Sequence, residues 1–394
     1  MSVPPVIVGV VGAGAMGRGI AQVAAAAGHQ VLLSDADAGV VERARDTIRS
    51  GLARDVAKGR LDQPRADALL ARIESVGATS LGVGAFAECG LVIEAVVEDL
   101  SVKRTLFAAL EGVVDREAIL ATNTSSLSIA AIGAATTHAD RVVGMHFFNP
   151  APLMALVEIV PAITTTPEIA ERTRALAVAW GKTTVVATDT PGFIVNRVAR
   201  PFYGEALRIL EEGVADVATI DWAMRDVGGF RMGPFELMDL IGNDVNFAVT
   251  TSVYDGFFQD PRYRPSLIQR RLVDAGLLGR KRERGYYDYR AGAPAPAPVS
   301  DVDLAARIVL RIVAMLVNEA VDAVRLRVAA PHDIELAMTK GVNYPRGLLA
   351  WGDEIGPATI LHTLETLQAE YGEDRYRPSP LLRARVRDGA ALLG

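Results

Sequence analysis

Residues 6–17 read VIVGVVGAGAMG, and this stretch decides the fold of the first half of the chain. Val6–Val11 is a short, β-branched apolar run, which predicts a buried strand. A GxGxxG turn follows at once, and Ala15–Ala27 is an alanine-rich segment that favours a helix. A strand, a glycine-rich turn and a helix in this order predict a dinucleotide-binding βαβ unit.

Each glycine of the turn has its own physical reason. Gly12 allows the tight turn, Gly14 lets the backbone approach a pyrophosphate, and Gly17 lets the helix pack close to the sheet. The N–H groups of Ala15 and Met16 and the helix dipole then bind the phosphates. We therefore expect these five residues to contact a dinucleotide.

Asp35 closes the second predicted strand, Val31–Ser34, at the position where a carboxylate accepts hydrogen bonds from a ribose diol. The same carboxylate would repel a 2′-phosphate, which predicts NAD rather than NADP. Arg43 and Arg45 lie further along and are the residues that would favour NADP instead. A turn-capping aspartate is the alternative interpretation of Asp35.

The βαβ pattern continues after this unit and predicts a Rossmann-type, doubly wound parallel sheet. Two adjacent helices are expected at Val40–Gly59 and Pro64–Glu74. Four more apolar runs predict strands, at Leu91–Val97, Ala118–Thr122, Val142–Phe147 and Leu156–Val160.

Polar side chains follow these strands, where the carboxyl ends of parallel strands collect ligands. Glu98 and Lys103 are candidates for the nicotinamide ribose, although each alone is more often a solvated charge at a helix start. Residues 123–126 read NTSS, and one serine can cap a helix while the other binds a substrate oxygen. Asn123 and Ser125 are the candidates there.

His146 is predicted at the end of a strand, and Glu158 follows after a turn at Asn149-Pro150. A strand that returns from this turn would bring Glu158 beside the imidazole. A carboxylate paired with histidine fixes its tautomer and supports general base catalysis. The pair predicts a catalytic base, whereas a single histidine at a strand end is more often structural.

The pattern becomes mostly helical near residue 188. Asp189-Thr190-Pro191 predicts a helix start, with Asn196 about one and a half turns into the helix on an otherwise apolar face. An asparagine there must be paired, either structurally or with a substrate. Residues 291–300 read AGAPAPAPVS and predict an extended linker.

An internal repeat follows the linker. Ile194–Gly242 aligns without gaps with Ile308–Gly356 at a shift of 114 residues, with fourteen identities in forty-nine positions. Asn196 falls opposite Leu310, and no GxGxxG or His–Glu pair precedes the repeat. We expect a nucleotide-binding domain at 1–188, a helical domain at 189–290, and a second helical copy at 301–394 without its own active site.

The composition narrows the class of protein. With 41 basic and 47 acidic residues the net charge is −6, which argues against a general nucleic-acid binder. The longest uncharged run, Ala118–Ala139, is too rich in polar residues for a membrane span. Cys89 is the single cysteine, which fits a reducing cytoplasm, and no cluster of metal ligands is recognisable.

These motifs together resemble the L-3-hydroxyacyl-CoA dehydrogenase family over roughly residues 5–290, with the repeat as an additional family-type C-terminal domain. The stretches that carry the resemblance are GAGAMG, NTSS, HFFNP, Glu158 and PGFIVNR. The resemblance implies that NAD oxidises a 3-hydroxyacyl-CoA to the 3-ketoacyl-CoA, or the reverse. Its doubled C-terminus resembles members that act on 3-hydroxyadipyl-CoA in phenylacetate catabolism, and 3-hydroxybutyryl-CoA in fatty-acid metabolism is the other candidate.

The resemblance also implies roles for individual residues. His146 would be the base and Glu158 its partner, while Ser125 and Asn196 would hydrogen-bond the reacting oxygen. A contact with CoA is implied at Lys58. Contacts with the cofactor are implied at Asp35, Glu98, Lys103, Asn149 and Lys281. The usual glycine-rich ending after the cofactor lysine is here Arg282–Tyr286, which departs from the family pattern. No basic residue can be assigned to a distal carboxylate from the sequence.

Two alternatives to this activity stay open. A related dehydrogenase could act on a free hydroxy acid or sugar acid, and a non-catalytic protein could keep the fold and bind NAD. Family members with one helical domain usually dimerise through it, so we expect the second copy to mimic that contact inside one chain. A monomer or a homodimer is compatible with this internal pseudo-dimer.

Overall fold

The computed structural model describes residues 6–77 and 83–394. The chain divides into two compact units, Met1–Thr190 and Pro191–Gly394. The first unit holds the sheet, and the second is helical. The α/β class followed by an all-α region is confirmed.

One sheet of eight strands forms the centre of the first unit within the described residues. Its order is β3-β2-β1-β4-β5-β6-β7-β8, and every neighbouring pair is parallel except β6 and β7. The order reverses direction beside β1, which creates the crevice where doubly wound sheets bind ligands. The strands are β1 (Val8–Val11), β2 (Val31–Ser34), β3 (Ile73–Ser75), β4 (Leu91–Glu94), β5 (Ile119–Thr122), β6 (Val142–Phe147), β7 (Leu156–Pro161) and β8 (Thr183–Val186).

Helices cover this sheet because its central strands are apolar on both faces. The first helix buries a stripe of small and β-branched residues, among them Gly17, Ile20 and Ala24, against the sheet. The helices of this unit are α1 (Ala15–Ala26), α2 (Ala38–Ala57), α3 (Gln63–Ala71), α4 (Leu100–Glu111), α5 (Ile129–Gly133) and α6 (Pro167–Ala179).

Two element bounds expected from the sequence were wrong in detail. The predicted helix Pro64–Glu74 ends at Ala71, because Ile73–Ser75 pairs with β2 as an edge strand. The predicted strand Leu91–Val97 ends at Glu94. The expected return of the strand after Asn149-Pro150 is observed, because β7 pairs antiparallel with β6 in an otherwise parallel sheet.

The predicted helix start at Asp189-Thr190-Pro191 was also wrong. The helix begins at Val195, after Gly192 and Phe193 turn the chain with φ values of 74° and 48°. Asp189 instead accepts hydrogen bonds from the N–H groups of Ile129 and Ala130 at the start of α5. Asp189 therefore does cap a helix N-terminus, but the helix is α5, which is distant in sequence.

The second unit consists of helices and short turns. Residues 291–300 contain no helix or strand and separate the two sequence copies. The helices before this linker are α7 (Val195–Val198), α8 (Arg200–Glu211), α9 (Val217–Trp222), α10 (Pro234–Ile241), α11 (Asn243–Gly256) and α12 (Leu267–Asp274). Those after it are α13 (Val302–Arg325), α14 (Pro331–Leu336), α15 (Leu348–Ile355), α16 (Pro357–Tyr371) and α17 (Pro380–Asp388).

The two copies contact each other through reciprocal ion pairs. Arg197 Nε lies 2.6 Å from Glu319 Oε1, and Arg311 Nε lies 2.7 Å from Glu205 Oε1. Each arginine and each glutamate is the repeat equivalent of the other at the shift of 114 residues. The pairs are therefore related by an approximate twofold symmetry between the copies.

The hydroxyl groups of two tyrosines extend the same symmetry. Tyr263 donates to Glu319 at 2.6 Å, and Tyr376 donates to Glu205 at 2.7 Å. These tyrosines belong to the recurring YRPS segments of the sequence. The interface between the copies is thus built from equivalent residues used twice.

Candidate active site

The glycine-rich turn has the geometry that its sequence predicted. Gly12 has a φ of 100°, and a Cβ there would lie 2.4 Å from the carbonyl oxygen of Ala95. A Cβ on Gly17 would lie 1.7 Å from the carbonyl oxygen of Gly12. A Cβ on Gly14 would meet no protein atom within 4 Å. Packing therefore requires Gly12 and Gly17, whereas Gly14 leaves open space at the helix N-terminus.

Asp35 holds the same turn from the end of β2. Its Oδ2 accepts the N–H of Ala13 at 2.8 Å, and its Oδ1 accepts the N–H of Asp37 at 3.2 Å. The carboxylate is half-buried at the edge of the sheet, beside the glycine turn. Both interpretations of Asp35 are compatible with this position, because capping the turn places the carboxylate where a ribose would lie.

Glu98 organises the loop that follows β5. One carboxylate oxygen accepts hydrogen bonds from Thr124 Oγ1 at 2.5 Å, from the N–H of Ser125 at 3.0 Å, and from Ser126 Oγ at 3.0 Å. Burial opposes ionisation of Glu98, but Lys103 and these donors outweigh it and lower the pKa of the carboxyl group. Neither Ser125 nor Ser126 caps α5, because Ser128 does so.

Lys103 lies beneath this loop and is fully buried. Its Nζ is 2.6 Å from Glu94 Oε1 and 3.2 Å from Glu98 Oε2. Glu94, at the last position of β4, also accepts from Thr122 Oγ1 at 2.7 Å and from the N–H of Val96 at 2.7 Å. The structure thus places Lys103 between two carboxylates, with its ammonium 1% exposed.

His146 and Glu158 face each other across the antiparallel pair β6 and β7. They are direct partners in the strand register, and His146 Nδ1 lies 2.6 Å from Glu158 Oε2. Both residues are buried, and the ring of Phe148 packs 4.6 Å from the imidazole. An Nδ1–H donated to the carboxylate fixes the tautomer in which Nε2 carries the lone pair.

Asn123 connects this pair to the neighbouring loop. Its Oδ1 accepts the N–H of Phe147 at 2.8 Å, so the ends of β5 and β6 are held together. Asn149 is exposed in the turn that follows. The ends of β1, β2, β4, β5 and β6 therefore bring Gly14, Asp35, Glu98, Ser125 and His146 to one edge of the sheet.

The remaining candidates do not follow strands of the sheet. Asn196 is the second residue of α7 and not one and a half turns into a helix. Lys281 is exposed, and its Nζ lies 2.6 Å from Asp244 Oδ1 within the same unit. Lys58 is exposed at the C-terminal end of α2.

The described residues contain no group of three or more His, Cys, Asp or Glu side chains that could hold a metal ion. No helix among them is long and apolar enough to cross a membrane.

Sequence reasoning missed two residues of this arrangement. Glu94 looked like the polar end of an apolar strand, and Thr122 looked like an ordinary strand residue. A glutamate at the end of the run LVIE was the available signal, because a carboxylate buried at a strand end requires a cationic partner.

Comparisons with known proteins identify the family of this chain. Residues 7–190 match the family model for the NAD binding domain of 3-hydroxyacyl-CoA dehydrogenase. The model for the C-terminal domain of that family matches twice, at residues 192–289 and 308–391.

Several characterised proteins are similar over most of their length. A 3-hydroxyadipyl-CoA dehydrogenase of Escherichia coli is 42% identical over 96% of this chain and 97% of its own. A 3-hydroxybutyryl-CoA dehydrogenase of Bradyrhizobium diazoefficiens is 43% identical over 73% of this chain and 97% of its own. The crystal structure of a 3-hydroxybutyryl-CoA dehydrogenase from Escherichia coli has a TM-score of 0.91 at 41% identity, covering 98% of this chain and 99% of that one.

Proposed function

Because the chain belongs to the 3-hydroxyacyl-CoA dehydrogenase family, we propose that it oxidises a (S)-3-hydroxyacyl-CoA with His146 as the general base. The chain is an oxidoreductase that acts on a CH–OH group, and its cofactor is NAD. The observation that carries the proposed base is the buried contact of 2.6 Å between His146 Nδ1 and Glu158 Oε2.

The proposed proton transfer follows from that contact. With Nδ1–H donated to Glu158, Nε2 accepts the proton of the C3 hydroxyl group, and the imidazolium that forms is stabilised by the carboxylate. Ser125 and Asn196 hydrogen-bond the reacting oxygen in this proposal. Glu98 positions Ser125 by accepting its N–H, and Lys103 holds Glu98.

The residues at the sheet edge fit NAD. Open space at Gly14, the N-terminus of α1 and the Asp35 carboxylate would receive the pyrophosphate and a ribose. When bound, NAD supplies the hydride acceptor for C3. Cofactor contacts are further proposed for Gly12, Ala15, Met16, Gly17, Glu98, Lys103, Asn123, Asn149 and Lys281.

The acyl group and the pathway are proposed on the relatives. We favour 3-hydroxyadipyl-CoA in phenylacetate catabolism, since the 3-hydroxyadipyl-CoA dehydrogenase of Escherichia coli is 42% identical over 96% of this chain. The second candidate is 3-hydroxybutyryl-CoA, which is named both for relatives that match 73% of this chain or less and for the Escherichia coli crystal structure that covers 98% of it. Lys58 is the proposed contact for a CoA phosphate.

NADH consumption with acetoacetyl-CoA tests the proposed reaction, beside controls with free acetoacetate and with NADPH. We expect rapid oxidation only with the thioester and NADH. Activity with the free acid alone would favour a dehydrogenase that does not use CoA. NADH binding without any turnover would favour a non-catalytic protein.

We further propose that the second helical copy replaces a partner subunit, as an internal pseudo-dimer. The reciprocal pairs Arg197–Glu319 and Arg311–Glu205 support this, because a twofold contact uses each residue twice. A chain shortened to residue 290 tests it by sedimentation. We expect the shortened chain to dimerise, whereas the full-length chain does not need to. A shortened chain that is stable as a monomer would contradict the proposal.

A further inference from the structure

Arg200, the first residue of α8, is a buried guanidinium without a carboxylate partner. Only 6% of the residue is exposed. Among the described residues its hydrogen bonds go to neutral oxygens, from Nε to the carbonyl of Asn196 at 2.7 Å and from Nη1 to Thr250 Oγ1 at 3.0 Å. No ion pair involves it in the described part of the chain. Buried arginines are normally paired with an anion, so this charge requires an explanation.

An unsatisfied donor lies near Arg200. The hydroxyl group of Tyr344 is buried and has no hydrogen-bond partner among the described residues. Burial raises the pKa of Tyr344 well above its ordinary value, although the nearby charge of Arg200 opposes the shift. A buried guanidinium without a counter-charge and a nearby hydroxyl group without an acceptor are together complementary to an anion.

The repeat supplies an internal comparison. The equivalents of Arg200 and Thr250 in the second copy are Ala314 and Leu364, which are both fully buried. The helix pair therefore packs with apolar residues at these positions, and the fold itself does not require the polar pair. The polar version occurs only in the copy that contains Asn196.

The position of Arg200 relates it to the substrate. Arg200 lies four residues after Asn196, across the junction of α7 and α8, and donates a hydrogen bond to the carbonyl group of that residue. The guanidinium therefore lies beside the backbone of Asn196. In an extended acyl chain, three C–C bonds of about 1.5 Å each separate C6 from C3 by about 4 Å. A hydrogen bond from the C6 carboxylate to a donor adds about 2.9 Å. An acyl chain held at its C3 oxygen by Asn196 would thus bring a C6 carboxylate within reach of the guanidinium.

We propose that Arg200 and Tyr344 bind the distal carboxylate of a six-carbon ω-carboxyacyl thioester. This inference rests on the proposed function, because it places the C3 oxygen at Asn196. The guanidinium of Arg200 donates hydrogen bonds to both oxygens of the carboxylate, and Tyr344 donates its hydroxyl hydrogen to one of them. The second helical copy then contributes a substrate contact, since Tyr344 belongs to it.

The test compares 3-hydroxyadipyl-CoA with 3-hydroxyhexanoyl-CoA. Both acyl groups have six carbon atoms, and C6 is a carboxylate in the first and a methyl group in the second. The readout is the ratio of their kcat/KM values with NAD. We expect the unaltered enzyme to prefer the carboxylated thioester by about 10- to 100-fold, the range of a charged hydrogen bond. Arg200→Gln should bring the ratio close to one, and Arg200→Lys should restore part of it.

Arg208→Gln is the matched control, because Arg208 lies on the same helix and already pairs with Glu373 at 2.9 Å. Its ratio should equal that of the unaltered enzyme. A ratio near one in the unaltered enzyme, or an unchanged ratio in Arg200→Gln, would overturn the inference alone. If Arg200→Gln does not fold, an unchanged ratio in both Arg200→Lys and Tyr344→Phe overturns it. Inactivity toward both thioesters would overturn the proposed function and this inference with it.

Discussion

At the scale of single residues, the candidate site depends on how carboxylates are partnered. Glu158 fixes a histidine, Glu98 fixes a loop, and Glu94 neutralises a buried lysine. All three lie at or near the ends of sheet strands, where backbone donors and side chains converge. Their roles therefore differ through their partners and not through their residue type.

His146→Ala should lower kcat by about 10²- to 10⁴-fold, the usual contribution of a general base. NAD binding, measured by titration of NADH fluorescence, should stay unchanged, because His146 contacts Glu158 and not the glycine turn. His332→Ala, at an exposed histidine, is the control. A variant that keeps most of the rate would show that His146 is not the base.

Lys103→Met should destabilise the protein by about 3–5 kcal/mol, because it leaves the Glu94 carboxylate buried without its counter-charge. Denaturant unfolding measures this change. Lys58→Met, at an exposed lysine, should stay within about 0.5 kcal/mol. Weaker NAD binding at unchanged stability would instead favour the direct cofactor contact that the sequence suggested for Lys103.

At the scale of elements, both helical copies use one device at the start of a helix. Asp221 accepts the N–H groups of Phe235 and Glu236 at 2.9 Å each, at the beginning of α10. Glu335, its repeat equivalent, accepts the N–H of Leu349 at 2.8 Å in α15. A buried carboxylate from a neighbouring helix thus replaces the side-chain cap that a glycine cannot supply.

This device predicts a pH dependence of stability. Burial raises the pKa of Asp221 to about 7, although Tyr287 and the two backbone donors oppose the shift. The folded state then binds a proton that the unfolded state has released above its own pKa of about 3.9. The contribution of Asp221 to the free energy of unfolding should therefore be largest below about pH 4. It should decrease as the pH rises from about 4 to about 7.

Urea unfolding at pH 5 and pH 8 measures this dependence in the unaltered protein and in Asp221→Asn. The difference in unfolding free energy between the two proteins should favour the unaltered one more at pH 5. Asp226→Asn, an exposed carboxylate of the same region, is the control. A difference that does not change with pH would contradict the raised pKa.

At the scale of the whole molecule, the duplicated helical region is held by charges that sequence patterns do not reveal. Arg197 and Glu319 are 1% and 3% exposed, so their pair is desolvated. Arg262 adds contacts to Asp322 at 3.0 Å and to Glu319 at 3.5 Å. The buried network makes the two copies one cooperative unit in our interpretation.

Glu319→Ala should therefore lower the unfolding free energy of this unit by about 3–5 kcal/mol, since Arg197 stays buried without its main partner. Arg270→Ala removes an exposed pair with Asp274 and should cost less than about 1 kcal/mol. Calorimetry of both variants measures the contrast. Equal stability of the two variants would show that the buried pair does not hold the copies together.

The sequence by itself determined the dinucleotide fold, the repeat and the family. These depend on local patterns: a β-branched strand before GAGAMG, a gapless repeat, and motifs such as HFFNP. It also led from the spacing of His146 and Glu158 to their pairing, because a turn between two strands fixes the register.

Only the tertiary structure decided how the charges are used. Lys103 looked like a surface contact and is buried, while Asp189 caps α5 instead of its own helix. Arg200 looked like any helical arginine, because the lack of a carboxylate around it depends on α11 and the second copy. Local pattern specifies which elements form, but burial and the missing partners of a charge arise from residues distant in the chain.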